Sequence, residues 1–161
     1  MHPRASTLIQ LLDLIPHPEG GYYREVFRSP QVVRASDSEI RRASITTVYF
    51  LLVARQYSRW HRITSDEVWH YYEGDPLELI WLNPARTADQ RRLLGPATGE
   101  CQPVQIVPSG CWQAARPLGE YTLVGCSVAP GFEFVDFQLL ADDPEEQALV
   151  RARFPELATL I

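Results

Sequence analysis

The chain has 161 residues, 45% of them hydrophobic and 11% aromatic, with 22% charged and a formal net charge of −5. That supports one hydrophobic core and is too little for two domains, while an acidic balance without blocks of like charge argues against a nucleic-acid partner. All 15 basic residues are arginine, which excludes a Schiff-base lysine, a pyridoxal phosphate anchor and a phosphate-loop lysine within this chain.

The three cysteines, Cys101, Cys111 and Cys126, are odd in number and form no CxxC pair. Such usage fits reduced, buried thiols of a cytoplasmic protein better than a disulfide framework. Met1–Gln10 shows no charged-then-apolar leader pattern. The longest apolar run, Val48–Ala54, falls far short of the roughly 20 residues that span a bilayer. We therefore expect a cytoplasmic protein with no membrane partner.

Leu8, Ile9, Leu11, Leu12 and Ile15 follow a helical spacing, with Ser6 or Thr7 as cap and Pro16 as stop. His2, close to the terminus, is expected to be disordered. After the turn at Pro18–Gly21, Tyr22–Arg28 alternates as a strand and Ser29–Arg42 reads as a polar loop. Ser44–Val53, rich in β-branched and aromatic residues, reads as a long buried strand. Further strands are expected at Ser58–Arg62, Glu67–Tyr72, Leu77–Leu82, Arg91–Leu94 and Val104–Val107, then at Cys111–Ala115, Tyr121–Val128 and Glu133–Leu139. Short strands at this spacing predict a sandwich or barrel. The tail reverts to helix over Pro144–Phe154, capped by Asp142 or Asp143, with a last short helix at Pro155–Leu160.

The segment from Trp60 to Gly74 carries the densest chemistry. His61 ends one strand, Thr64–Asp66 turns, and Glu67 begins the next, so a hairpin brings an imidazole and a carboxylate to one face, as a divalent metal requires. Downstream, Pro108–Gly110 is a turn and Gln113 follows its glycine by three residues. Strand alternation with Glu67 inward also turns Trp69, Tyr71 and Glu73 inward, and turns His70, Tyr72 and Trp112 outward. Cys111 is expected to be an inert buried thiol. His17 and Glu19 sit in a Gly-Gly turn. Either Glu19 and Tyr23 stand at a pocket mouth, or the glycines simply supply positive φ.

These residues resemble the cupin superfamily. His61, Glu67 and Gly74 take the His, Glu and Gly positions of the first cupin motif, and Pro108-Ser109-Gly110 with Gln113 follows the second. The strings HPEGGYYRE (17–25), SDEVW (65–69) and APGFE (129–133) resemble the DUF985, or cupin 5, group over about Leu8–Leu140. The resemblance implies a mainly β fold. We expect a single cupin-type jelly-roll barrel over about 20–140, with short terminal helices, the C-terminal ones over about 142–160. It also implies a metal site at His61, Glu67 and Gln113. Here Ile63 stands where a second ligand histidine belongs and Gln113 where a third does, so iron, manganese, nickel or zinc would be held weakly. Without a metal, His61 and Glu67 form a hydrogen-bonded pair inside the pocket.

The leading expectation is a pocket for a small polar, sugar-like or anionic molecule around His61, Glu67 and Gln113, with Trp69, Tyr71 and Ile63 as its apolar walls. Arg24, Arg28, Arg59 and Arg62 offer bidentate partners to an anion. Three readings stay open. A metal-independent epimerase or isomerase would use His61 as base, Glu67 to orient it, and Tyr71 or Tyr23 as acid. A weakly metal-dependent enzyme or a non-enzymatic storage module are the others. Outward His70, Tyr72 and Trp112 also predict a homodimer, unless the terminal helices cover them.

Overall fold

Thr46–Val53 is apolar on both sides because both sides are covered. Phe50 and Leu52 enter a core shared with Trp69, Leu79, Val124 and Cys126. Leu51 and Val53 turn the other way, against Ala5, Leu8 and Leu14. Alternate side chains of a strand leave on opposite faces, so a strand between two apolar layers reads as one continuous apolar run.

The computed structural model describes residues 1–34 and 39–161. Helix α1 (Pro3–Leu11) leads to strands β1 (Ile15–Pro16), β2 (Tyr22–Arg28), β3 (Val32–Arg34), β4 (Arg41–Ala43) and β5 (Thr46–Val53). Then come β6 (Ser58–Arg62), β7 (Asp66–Gly74), β8 (Leu77–Leu82), β9 (Asp89–Leu94) and β10 (Cys101–Gln102). The last strands are β11 (Val104–Val107), β12 (Gln113–Pro117), β13 (Tyr121–Ala129) and β14 (Gln138–Leu139). Helix α2 (Pro144–Arg153) follows, with 3-10 turns at Phe134–Asp136, Leu140–Asp142 and Pro155–Leu160. Among the described residues, one six-stranded sheet runs β1-β2-β5-β13-β7-β11, a second runs β10-β9-β8-β12-β6-β14, and β3 pairs only with β4. The two sheets face each other in a jelly-roll arrangement that hydrogen bonds do not close into a barrel.

Helices cover the outer faces. On the second sheet, Trp60, Ile80, Leu82 and Trp112 pack beneath Leu140, Val150, Phe154, Leu157 and Leu160, and the Trp60 indole N–H donates to the Leu157 carbonyl at 3.0 Å. Among the described residues, no helix is long and apolar enough to cross a membrane.

Several expectations are corrected. The first helix starts at Pro3, because the His2 side chain caps it by accepting from the Arg4 N–H, and His2 stacks on Tyr121 at 5.1 Å instead of fraying. The expected loop Ser29–Arg42 contains the β3–β4 hairpin, and its residues 35–38 lie outside the described residues. The strand expected at Cys111 begins at Gln113. Glu133–Leu139 is a 3-10 turn followed by a two-residue strand. Trp112 is 2% exposed, since the C-terminal elements cover the face it was expected to leave open. Glu73 also turns away from the interior: a bulge in the β7–β13 pairing shifts the register there, and its carboxylate meets Arg4 and Tyr121 outside the core.

Candidate functional site

The HPEGG turn before β2 builds the site. Gly20 (φ +114°) and Gly21 (φ +70°) occupy the left-handed region, and a Cβ on Gly20 would lie 2.3 Å from the Tyr57 carbonyl oxygen. Only glycine fits such a position. The close approach lets the Arg59 N–H donate to the Glu19 carbonyl at 2.8 Å, and the Arg59 guanidinium donates to the Pro18 carbonyl. The turn is thereby clamped onto β6 and the Glu19 side chain is driven inward. Positive φ and the placement of Glu19 on the cavity wall are one device, although Glu19 lies buried, not at the mouth.

Ser58 Oγ donates to Glu19 Oε1 at 2.8 Å. Glu19 Oε2 lies 3.4 Å from His61 Nε2 and 3.4 Å from His17 Nδ1. His61 Nδ1–H donates to the Arg59 carbonyl at 2.8 Å, so the neutral ring keeps its lone pair on Nε2, facing Glu19. Burial pushes the Glu19 carboxyl up to about 8, against the opposing effects of Ser58 and Arg59. Burial, helped by His61, holds His17 down to about 3. Burial lowers His61 despite the pull of Glu67, and raises Glu67 despite His61. At neutral pH the Glu19 contacts therefore join a protonated carboxyl to neutral imidazoles and are not ion pairs.

A cavity of about 140 Å³ opens from this cluster. His17, Glu19, His61 and Glu67 supply its polar wall, with Ile63, Phe50 and Cys126 beside them. Phe132, Phe134 and Phe137, carried by the turn after β13, form an aromatic wall. Phe137 stacks on His61 at 5.5 Å and 28°, and Phe134 on His17 at 5.9 Å and 25°. Arg28 reaches the mouth already held by Glu25 at 2.8 Å and Glu133 at 2.7 Å. Arg24 lies beside Asp13, and Arg62 bonds Gln138 while sitting 4.5 Å over Trp112. No arginine among these is free to take an anion in the cavity.

Of the residues singled out from sequence, Glu19, Tyr23, His61, Ile63 and Glu67 meet in this cavity. Gln113 stands behind it, its amide donating to Glu67 Oε2 at 2.6 Å. Trp69 packs edge-on against Phe50 at 5.9 Å in the core and does not line the cavity. Tyr71 is also elsewhere: its hydroxyl donates to the Gly74 carbonyl at 2.7 Å, which ties it to the far end of its own strand. It is corrected as a candidate acid. Sequence reasoning read Glu133–Leu139 as a strand and so missed the Phe132–Phe137 wall, and it placed no role on His17 or Cys126. The cue was available in the three phenylalanines after Ala129-Pro130-Gly131.

The cupin metal does not fit the residues present. Gln113 spends its amide N–H on Glu67 Oε2, so the one neutral oxygen donor of the set comes tied to the carboxylate that would have to be the main ligand. Ile63 offers hydrocarbon. Among the described residues, no group of three His, Cys, Asp or Glu is arranged to hold a metal ion.

Burying neutral groups makes stability depend on pH. Above pH 4.5 and up to about 8, the folded chain keeps a Glu19 proton that the unfolded chain has released, so stability falls as pH rises. From about 3 to 6.5 the unfolded chain binds a proton at His17 that the folded chain refuses, so stability rises. His61, also lowered, adds to the rise on the acid side, and Glu67, also raised, adds to the fall on the alkaline side. We predict an unfolding midpoint that climbs toward pH 4.5 and declines from pH 6.5 to 8, with the decline shallower in Glu19→Gln. Urea unfolding across this range measures it; an unchanged slope in the variant would mean that Glu19 is ionised when folded.

A family model described as the cupin superfamily (DUF985) matches residues 6–140. A search of the curated proteins finds no match. Among solved structures, a hypothetical protein from Leishmania major is 34% identical, with a TM-score of 0.82 over 98% of this chain and 96% of that one. A protein from Shewanella oneidensis is 32% identical, with a TM-score of 0.81 over 97% and 93%. Oxalate decarboxylase from Bacillus subtilis is 17% identical, with a TM-score of 0.58 over 91% of this chain and 36% of that one, a likeness of fold alone. The family match and the two paired sheets agree: the chain belongs to the DUF985 family of the cupin superfamily.

Proposed function

We propose that the chain binds a small neutral ring-sized molecule in this cavity and moves a proton on it without a metal, as an isomerase does. The observation that carries this reading is the neutral pair of His61 Nε2 and the Glu19 carboxyl, a base and an acid 3.4 Å apart. A cavity of roughly 150 Å³ admits a molecule the size of benzene, and Phe134 and Phe137 offer it stacking faces. With Arg28 neutralised by Glu25 and Glu133, an anion gains little here, so the anionic ligand gives way to a neutral one.

His61 takes the proton at Nε2, and its imidazolium is supported by the Arg59 carbonyl on Nδ1–H and by Glu67. Glu19 is the acid. Because both groups sit on one wall, the geometry favours moving a proton between neighbouring carbons on one face of the ring. Epimerisation needs delivery to the opposite face, which this pair does not serve.

The measurement is deuterium exchange into cyclohexanone and free pyranose sugars in D2O, followed by proton NMR with chelator-treated protein. Wild type should exchange about 100-fold or more faster than His61→Asn. Binding without exchange would leave a ligand-binding module, and exchange lost on chelation would overturn the metal-free reading.

Metal affinity gives an independent check. Stripped wild type titrated with manganese, nickel or zinc should bind more weakly than about 1 μM, and Ile63→His should bind at least tenfold more tightly. Sub-micromolar binding by wild type would overturn this prediction.

We also propose a homodimer, now supported by Tyr72, Val104 and Ile106, which are 46%, 43% and 55% exposed on the first sheet. Sedimentation at micromolar concentration should show twice 18.4 kDa; a species of that single mass would leave those residues to water. The free thiols Cys101, Cys111 and Cys126 support placing the protein in the cytoplasm.

A further inference from the structure

The proposed base has a counterpart on the opposite side of Glu19. His17 was not among the expected site residues, yet its ring lines the cavity and is held on several sides. Phe134 lies nearly parallel to it at 5.9 Å, while Tyr23 at 4.5 Å and Phe50 at 6.0 Å meet it edge-on. Its Nδ1 accepts the Glu19 backbone N–H at 3.2 Å. A neutral imidazole has one donor and one acceptor nitrogen, so the proton lies on Nε2. That Nε2–H has no hydrogen-bond partner among the described residues, and it is not one of the buried polar atoms cut off from open space. The ring is part of the cavity lining.

The backbone therefore sets the two histidines in opposite tautomers. His61 donates its Nδ1–H to the Arg59 carbonyl and keeps a lone pair on Nε2, on the side of Glu19. His17 takes a backbone proton at Nδ1 and presents an N–H. We propose that His17 Nε2–H is the hydrogen-bond donor to a carbonyl oxygen of the ligand, and that the ligand class is a neutral, enolisable carbonyl compound of about one ring. This rests on the isomerase reading and supplies its missing electrophile.

When His61 Nε2 removes a proton from the carbon beside the carbonyl, the C–H electron pair becomes the C=C bond of an enolate. The carbonyl π pair moves onto oxygen, where His17 Nε2–H meets the growing negative charge. Reprotonation at carbon restores the carbonyl and leaves His61 neutral. His17 stays neutral throughout, since burial keeps the ring from gaining a second proton. A neutral imidazole can polarise a carbonyl in this way without giving its proton up.

Infrared spectra of carbonyl-labelled cyclohexanone bound to the protein test this apart from turnover. The carbonyl band should move to lower wavenumber in wild type and return toward its position in an apolar solvent in His17→Phe, which keeps a ring among Tyr23, Phe50 and Phe134. His17→Gln, whose side-chain amide can set an N–H near the Nε2 position, should recover part of the shift. Deuterium exchange should slow about 100-fold in His17→Phe. In His61→Asn the shift should persist while exchange is lost. An unshifted band in wild type, or a full shift in folded His17→Phe, overturns the assignment of His17. A His17-dependent shift with no exchange would retain the carbonyl site and overturn the isomerase reading alone. Should His17→Phe fail to fold, the wild-type band and the His17→Gln band decide: a shift in wild type that His17→Gln partly keeps supports the donor, and its absence in wild type refutes it.

Discussion

A carboxyl buried between two imidazoles is the constraint on which this site depends. Glu19 cannot enter the wall unless the chain before β2 comes close enough to require two glycines, Gly20 against Tyr57 just before β6 and Gly21 against Leu51 of β5. Once there it has Ser58 as its one strong donor, too few hydrogen bonds to hold a charge out of water. The proton stays on. That single consequence of burial turns an apparent cluster of ion pairs into neutral acids and bases, and it explains why His17 and His61 resist protonation beside carboxyl groups.

The remainder of the cluster follows from register. His61 pairs with Gln113 across β6 and β12 and with Leu139 across β6 and β14, while Glu67 is the second residue of β7. Gln113 fills the place of a metal ligand and acts as a donor that fixes Glu67. The same strands that hold a metal in a cupin with three histidines hold a hydrogen-bonded carboxyl here. Ile63 and Gln113 change the side chains presented at this place while the scaffold is kept.

Much of this was legible from residue order. The strand expectations at Tyr22–Arg28, Ser58–Arg62, Leu77–Leu82 and Val104–Val107 coincide with the structure, since each has apolar alternation bounded by turn residues. The cavity residues Glu19, Tyr23, His61, Ile63 and Glu67 were legible through motif spacing. What was not legible depends on tertiary contact. Parity counted along β7 placed Glu73 inward, but one bulge near Tyr72 reverses it. Parity also placed Trp112 outward correctly as a direction, yet outward is not exposed when α2 and the Pro155–Leu160 turn lie over that face. Tyr71 had the right direction and the wrong depth: it lies four residues beyond Glu67 along β7, outside the cavity lining.

The aromatic wall has a further meaning. Its last member, Phe137, stacks on His61, and the next residues, Gln138 and Leu139, pair with the strand that carries His61. Leu140 then enters the outer cluster beneath α2. One short piece of backbone thus joins the inside of the jelly roll to its outer cover. The C-terminal helix, which contributes no residue to the cavity lining, is in this sense anchored through the same stretch of backbone that sets Phe137 against His61.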